Sequence, residues 1–116
     1  MRHRKHKVVL DRTAAGRRRL LRNLATSIIL YEKVTTTHGK AKAVVPLVER
    51  LIRVGQSPSL AHRRRLISEL AVKSAAAKVV EVLGPRYQQR SGGCVRIVRL
   101  GTRSGDGAAL ARVELV

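Results

Sequence analysis

Aromatic side chains are almost missing from this chain: it has two tyrosines, no phenylalanine and no tryptophan. Proteins that read single strands of nucleic acid stack bases on aromatic platforms, and no such platform can be built here. The core has to be packed from Leu, Ile, Val and Ala. One cysteine, Cys94, excludes an internal disulfide and a cysteine-rich zinc site, which suits a reducing interior. Cys94 reads as a small core hydrophobe rather than a nucleophile. Acids are scarce as well. The seven present (Asp11, Glu32, Glu49, Glu69, Glu81, Asp106, Glu114) are scattered, so no pair forms an evident dyad. His3, His6, His38 and His62 have no acid or Cys at the spacing of a metal site or a triad. No catalytic, metal or cofactor site is expected, and no small-molecule substrate. No run approaches the roughly 20 apolar residues of a spanning helix, so membrane insertion is not expected. The basic start precedes only Val8, Val9 and Leu10, too few for a signal peptide. An Arg-rich, acid-poor start also resembles a mitochondrial presequence.

What the chain has is positive charge. Within 116 residues, 25 Lys and Arg face 7 acids, for a formal charge of +18. The excess runs along the whole chain, and self-repulsion of this size disfavours a compact state without a polyanion. Nucleic acid is the partner that follows, because neutralising phosphates releases counterions and supplies sequence-independent affinity. An anionic membrane surface is the competing partner. The length suits one domain, expected over 13–116 behind a basic arm over 1–12.

The segment from Met1 to Tyr31 looks like the organising one. MRHRKHK lacks helical periodicity and should stay extended unless phosphates order it. Thr13 or Asp11 can cap a first helix running to about Tyr31. In it Leu20, Leu21, Leu24, Ala25, Ile28 and Ile29 form one apolar stripe. Arg19 and Arg22 point away from that stripe, Arg18 lies on its flank, and Arg17 sits at its N-terminal end. Lys33 to Thr37, with β-branched Val34, Thr35, Thr36 and Thr37, reads as a short strand. Thr37 then caps a second helix to about Val54, with Val44, Leu47, Val48, Leu51 and Ile52 inward. Pro46 falls on the polar face of that helix and should kink it.

Ser57 followed by Pro58 opens a third helix ending near Leu70. A fourth, Ala-rich helix from about Val72 closes at Leu83-Gly84-Pro85. The glycines of Ser91-Gly92-Gly93 admit two readings: a plain turn, or a backbone that can approach a ribose-phosphate closely. Cys94 to Leu100 and Ala109 to Val116 read as strands joined by a loop over 101–107. That loop is too short for a parallel crossover, so the pair should be antiparallel. The loop lacks the spacing of a P-loop. In the last strand Ala111, Val113 and Leu115 share one face, with Arg112 and Glu114 on the other. The expected fold is α+β: about four helices on a small mixed sheet of about three strands.

Several segments, taken in order, resemble the bacterial large-subunit ribosomal protein L-seventeen family. They are MRHRKHK with Leu10-Asp11-Arg12, Arg22-Asn23-Leu24-Ala25, and Thr36-Thr37 with Lys40-Ala41-Lys42. Leu83-Gly84-Pro85-Arg86-Tyr87, Arg90-Ser91-Gly92-Gly93, Arg103-Ser104-Gly105-Asp106 and Val113-Glu114-Leu115 continue the series. The resemblance spans nearly the whole chain. It implies an α+β protein that binds large-subunit ribosomal RNA near the peptide exit tunnel, beside neighbouring large-subunit ribosomal proteins, in cytoplasmic or organellar ribosomes.

On this reading Arg and Lys bridge phosphates of separate RNA helices, with Arg offering bidentate contacts. The expected contacts are Arg2, His3, Arg4, Lys5, Lys7, Arg12, Arg17, Arg18, Arg22, Lys40, Lys42, Arg86, Arg90, Arg96, Arg99 and Arg103. A histone-like DNA-compacting protein is the alternative, but it needs a dimer seam and none stands out. An enzyme acting on nucleic acid would need acid or metal constellations that the chain does not offer.

Overall fold

The computed structural model describes residues 9–90 and 92–116. Residues 1–8, with the expected contacts Arg2, His3, Arg4, Lys5 and Lys7, lie outside the described residues, as does Ser91. At the start of the described chain, the Arg12 amide donates to the Val9 carbonyl (3.2 Å). Leu10 and Asp11 are both left-handed there (φ 55° and 52°).

Helix α1 spans Ala14–Tyr31, and Thr13 caps it by accepting from the Gly16 amide. The first turn therefore leaves one less backbone donor unsatisfied. Glu32 ends α1 in a left-handed conformation (φ 63°) and turns the chain into β1, Lys33–Thr37. Helix α2 follows directly as His38–Gln56. Thr37 occupies its cap position but makes no capping hydrogen bond. Pro46 lies within α2, and its ring nitrogen has no hydrogen to give the Lys42 carbonyl one turn back.

Helix α3, Leu60–Glu69, starts later than expected. Ser59, not Ser57, accepts the cap bond from the His62 amide, while the Ser57 carbonyl pairs with the His62 ring. Helix α4 is Lys73–Lys78 and does not stop at Gly84. It widens into a π-helical turn, Val79–Leu83, and resumes as α5, Gly84–Arg86. In a regular helix Pro85 would crowd the carbonyl four residues back; the wide turn relieves that conflict.

Strands β2 (Val95–Thr102) and β3 (Ala109–Leu115) complete a sheet of order β1-β3-β2. Both pairings are antiparallel, so the sheet is antiparallel throughout and not mixed. β1 and β2 run the same way, as a helical crossover requires, but β3 inserts between them and separates them. A bulge between Arg99 and Gly101 leaves Leu100 unmatched in the ladder.

Register explains the two faces of the sheet. Val34, Val113 and Ile97 form one row, and Lys33, Glu114 and Arg96 form the next, on the opposite face. The first face joins the core, where Val113 and Ala111 are fully buried. Helix α2 is the central element: it packs on α1, α3, the π turn, β2 and β3. Its Val44, Val48, Leu51 and Ile52 are all solvent-inaccessible.

The apolar stripe of α1 is buried only in its second half. Ala25, Ile28 and Ile29 are fully enclosed, whereas Leu20, Leu21 and Leu24 are half-buried. The first half of α1 thus overhangs the core, and its arginines stand clear of it. Thr26, invisible to a hydrophobic pattern, is buried because it bonds twice. Its hydroxyl donates to the Arg22 carbonyl (2.8 Å) and accepts from the Ala71 amide (3.0 Å).

Candidate nucleic-acid interface

The fold sorts the cations into two groups by their partners. At the sheet end, Arg96, Arg103 and Arg112 are committed to carboxylates. Arg96 on β2 faces Glu114 on β3 in register, and its Nε lies 2.5 Å from Glu114 Oε1. Arg112 Nε approaches the other oxygen at 3.0 Å. Glu114 is 2% exposed, yet it sits on the sheet face away from the core. The two arginines, rather than apolar packing, cover it. Arg103 grips Asp106 with two parallel bonds of 2.9 and 2.6 Å. Asp106 also accepts from the Ala108 amide (3.1 Å), which fastens the hairpin loop.

Arg86 pairs with Glu32 and stacks over the Tyr87 ring at 5.9 Å. Lys78 shares the same carboxylate at 3.8 Å and donates to the Leu30 carbonyl (3.1 Å). The end of α1 is tied in this way to α4 and α5. Tyr87 is buried, and its hydroxyl donates to the Val116 carbonyl (2.7 Å). Gln56 reaches from α2 to the Tyr87 and Arg90 carbonyls at 2.6 and 3.2 Å. These bonds hold the segment from Arg86 to Arg90 in place.

These contacts show in the acidities. The Arg86 guanidinium holds the Glu32 carboxyl below its usual range, and Arg96 does the same for Glu114. Arg103 pulls Asp106 well below the ordinary carboxylate value. Burial pushes the Cys94 thiol up, against any nucleophilic role.

The sign of the pH dependence follows. A carboxyl that is more acidic when folded stabilises the fold above its unfolded pKa, and that contribution is lost as pH falls through the folded value. Melting temperature should therefore fall with acid below the ordinary glutamate value of 4.5. Glu114→Gln should flatten that fall, as scanning calorimetry across the acid range will show; an equally steep fall in the variant would exclude Glu114 as a source.

A second group of cations, mostly on or beside the helices but including Arg99 of β2, is different. None of Arg12, Arg17, Arg18, Arg22, Lys40, Lys42, Arg90 and Arg99 has a carboxylate partner among the described residues. Backbone carbonyls orient three of them instead. Arg22 Nη2 donates to Leu70 O (2.9 Å), Arg18 Nε to Ala14 O (3.4 Å) and Arg90 Nε to Gly92 O (3.3 Å). Such bonds fix a guanidinium without neutralising it. Gly93, at φ 67°, makes the turn into β2, so one of the two readings of the glycine pair is realised in the backbone.

Arg18, Arg19 and Arg22 of α1 and Arg50 of α2 line one open cleft. Arg19 and Arg50 were missed as candidates by pattern alone. Arg50 stands four residues after Pro46 and three after Leu47, so one face of α2 carries all three; that spacing was the available signal. Among the described residues no group of three or more His, Cys, Asp or Glu could hold a metal ion. No helix there is long and apolar enough to cross a membrane.

Cations without a carboxylate partner among the described residues, three of them held by backbone carbonyls, leave positive charge that a polyanion can neutralise. Comparison with known families agrees. Residues 20–116 match the family model described as Ribosomal protein L17. The chain belongs to the ribosomal protein L17 family. It is 48% identical to the large ribosomal subunit protein bL17 of Solibacter usitatus over 116 residues, 100% of this chain and 77% of that relative. The bL17 of Thermomicrobium roseum is 45% identical, with 100% of this chain and 99% of the relative covered. That of Bradyrhizobium diazoefficiens is 44% identical, with 100% and 84% covered. For this L17 family member, the motifs carrying the resemblance divide between two tasks. Arg86 and Tyr87, Arg103 to Asp106, and Glu114 hold the structure together. Lys40, Lys42, Arg22 and Arg90 have no carboxylate partner among the described residues.

Proposed function

We propose that the chain is a structural, non-enzymatic constituent of the bacterial large ribosomal subunit, binding ribosomal RNA through phosphates. Its partners are large-subunit RNA and adjacent ribosomal proteins, in the cytoplasmic ribosome near the peptide exit tunnel. The observation that carries this reading is the set of cations without carboxylate partners among the described residues, at and just ahead of α1, at the start of α2, after α5 and at Arg99 of β2. Arg12, Arg17, Arg18, Arg22, Lys40, Lys42, Arg90 and Arg99 contact phosphates directly. The cations of residues 1–8 (Arg2, His3, Arg4, Lys5 and Lys7) extend the contact as an arm ahead of one domain over 13–116. Arg86, Arg96 and Arg103 hold their carboxylates first and offer RNA only their remaining donors.

The mechanism is electrostatic. RNA segments that approach one another repel, and guanidinium groups fixed between them neutralise that repulsion with charge-assisted hydrogen bonds. The test is sedimentation of a tagged chain in cell extracts at low and high salt. Recovery with the large subunit, and not with the small subunit or with chromosomal DNA, is expected. Recovery with DNA would overturn the reading in favour of a compacting protein.

A further inference from the structure

The cleft between α1 and α2 has a composition that phosphate neutralisation alone does not require. Its floor is aliphatic: Leu21 from α1 faces Leu47, Pro46 and Ala43 from α2. Its rim is cationic, with Arg18, Arg19, Arg22 and Arg50. Among the described residues the sole carboxylate on its lining is Glu69, whose Oε2 lies 3.5 Å from Arg65 Nε in an ion pair without a hydrogen bond. The open volume is about 700 Å³, within the range of roughly 300–1,000 Å³ that small organic groups fill. Leu21 and Leu47 remain partly exposed beside a core that encloses Val48 and Ile52 completely. The apolar wall is left open although the interior next to it is filled.

A duplex offers phosphates, sugars and base edges, but its base faces are stacked and cannot enter such a cleft. An unpaired nucleotide presents both a phosphate and the flat apolar face of a base. Where aromatics are absent, arginine planes and aliphatic side chains can take a base face. We propose, building on the ribosomal-RNA reading above, that this cleft seats an unpaired stretch of one or two ribonucleotides. Base faces rest on Leu21, Leu47 and Pro46, and the flanking phosphates lie on the arginine rim. Arg22 and Arg18 are held at the mouth by the Leu70 and Ala14 carbonyls, so the rim is ordered before RNA arrives. A chain with no aromatic platform thereby gains a place for a splayed base, and with it a preference for RNA carrying a bulge or loop.

The test uses the full chain and two synthetic RNAs with equal numbers of phosphates, one a perfect duplex and one a hairpin with an unpaired loop. The wild type should bind the hairpin more tightly by about tenfold, the size of one base contact. Ala15→Phe and Ala43→Phe fill the cleft without removing charge, and Ala15 is exposed, so folding is not at stake there. Both variants should lose the preference while keeping duplex affinity. Arg50→Ala should weaken the hairpin more than the duplex. If the wild type has no preference, or the filled variants keep it, the cleft is not a nucleotide seat, although RNA binding itself stands. If neither RNA binds, the underlying reading fails with it. A polyaspartate peptide that competes as well as the hairpin would assign the cleft to an acidic protein segment and overturn the proposal.

Discussion

Gly84→Ala is expected to destabilise the isolated protein by about 3 kcal/mol or more, beyond the usual range for overpacking. A Cβ at Gly84 would overlap the Gly55 carbonyl oxygen and stand 2.8 Å from its carbon, with the Val79 oxygen at 3.2 Å. All three are backbone atoms, so no side chain can rotate aside. Gly55 is the other half of the contact: a Cβ there would meet Val79 Cγ1 at 2.5 Å and the Val79 oxygen at 2.9 Å. The backbones of α2 and α5 meet at these glycines, with the Val79 side chain packed beside Gly55. Gly39→Ala is the control, because nothing lies within 4 Å of the added carbon. It should leave stability unchanged or raise it by about 0.4–1 kcal/mol. Thermal melts of both variants decide the matter; equal melting temperatures would mean that the α2–α5 contact relaxes at little cost.

Gly84 also shows where local rules stop. Leu83-Gly84-Pro85 has the form of a helix terminator, glycine followed by proline. In the fold, Gly84 is right-handed (φ −55°) and helical, and α5 continues to Arg86. The glycine is there for the approach of α2, a tertiary fact absent from the local pattern. The shift from Ser57 to Ser59 as the cap of α3 is local instead: the Ser59 hydroxyl accepts from the His62 amide, and the His62 ring pairs with the Ser57 carbonyl. By contrast, the bounds of α1, β1 and β3 were legible. Thr13, a β-branched run and strict alternation are signals that act within a few residues. The importance of α2 over α1 was not legible, because both have apolar stripes and only packing reveals which one is enclosed.

Composition pointed to the class of the site but not to its division. The cations read as equivalent along the chain. Register alone brings Arg96 opposite Glu114, and loop closure alone brings Arg103 onto Asp106. Neither pairing follows from net charge. Cations that neutralise internal acids have less to offer a phosphate, so a uniform count overstates the interface.

The second large effect concerns salt. Eight of the expected contacts are without carboxylate partners among the described residues, and the cleft adds Arg19 and Arg50. If about 6–10 phosphates are neutralised, affinity for large-subunit RNA should fall by about 10³–10⁵ between 50 and 200 mM salt, on the duplex slope. The driving force is counterion release, which vanishes as bulk salt rises. A nearly flat titration would mean that few phosphates are engaged and that apolar or hydrogen-bonded contacts hold the complex.

The most direct measurement is that titration repeated on single variants. The central claim is that arginines without a carboxylate partner among the described residues contact RNA while carboxylate-paired ones chiefly hold the fold. Arg18→Ala and Arg50→Ala should each lower the slope of log affinity against log salt by roughly one phosphate contact and leave the melting temperature nearly unchanged. Arg103→Ala should lower the slope less than either of these and loosen the hairpin that Asp106 fastens. A slope that drops for Arg103→Ala and holds for Arg18→Ala and Arg50→Ala would contradict the account.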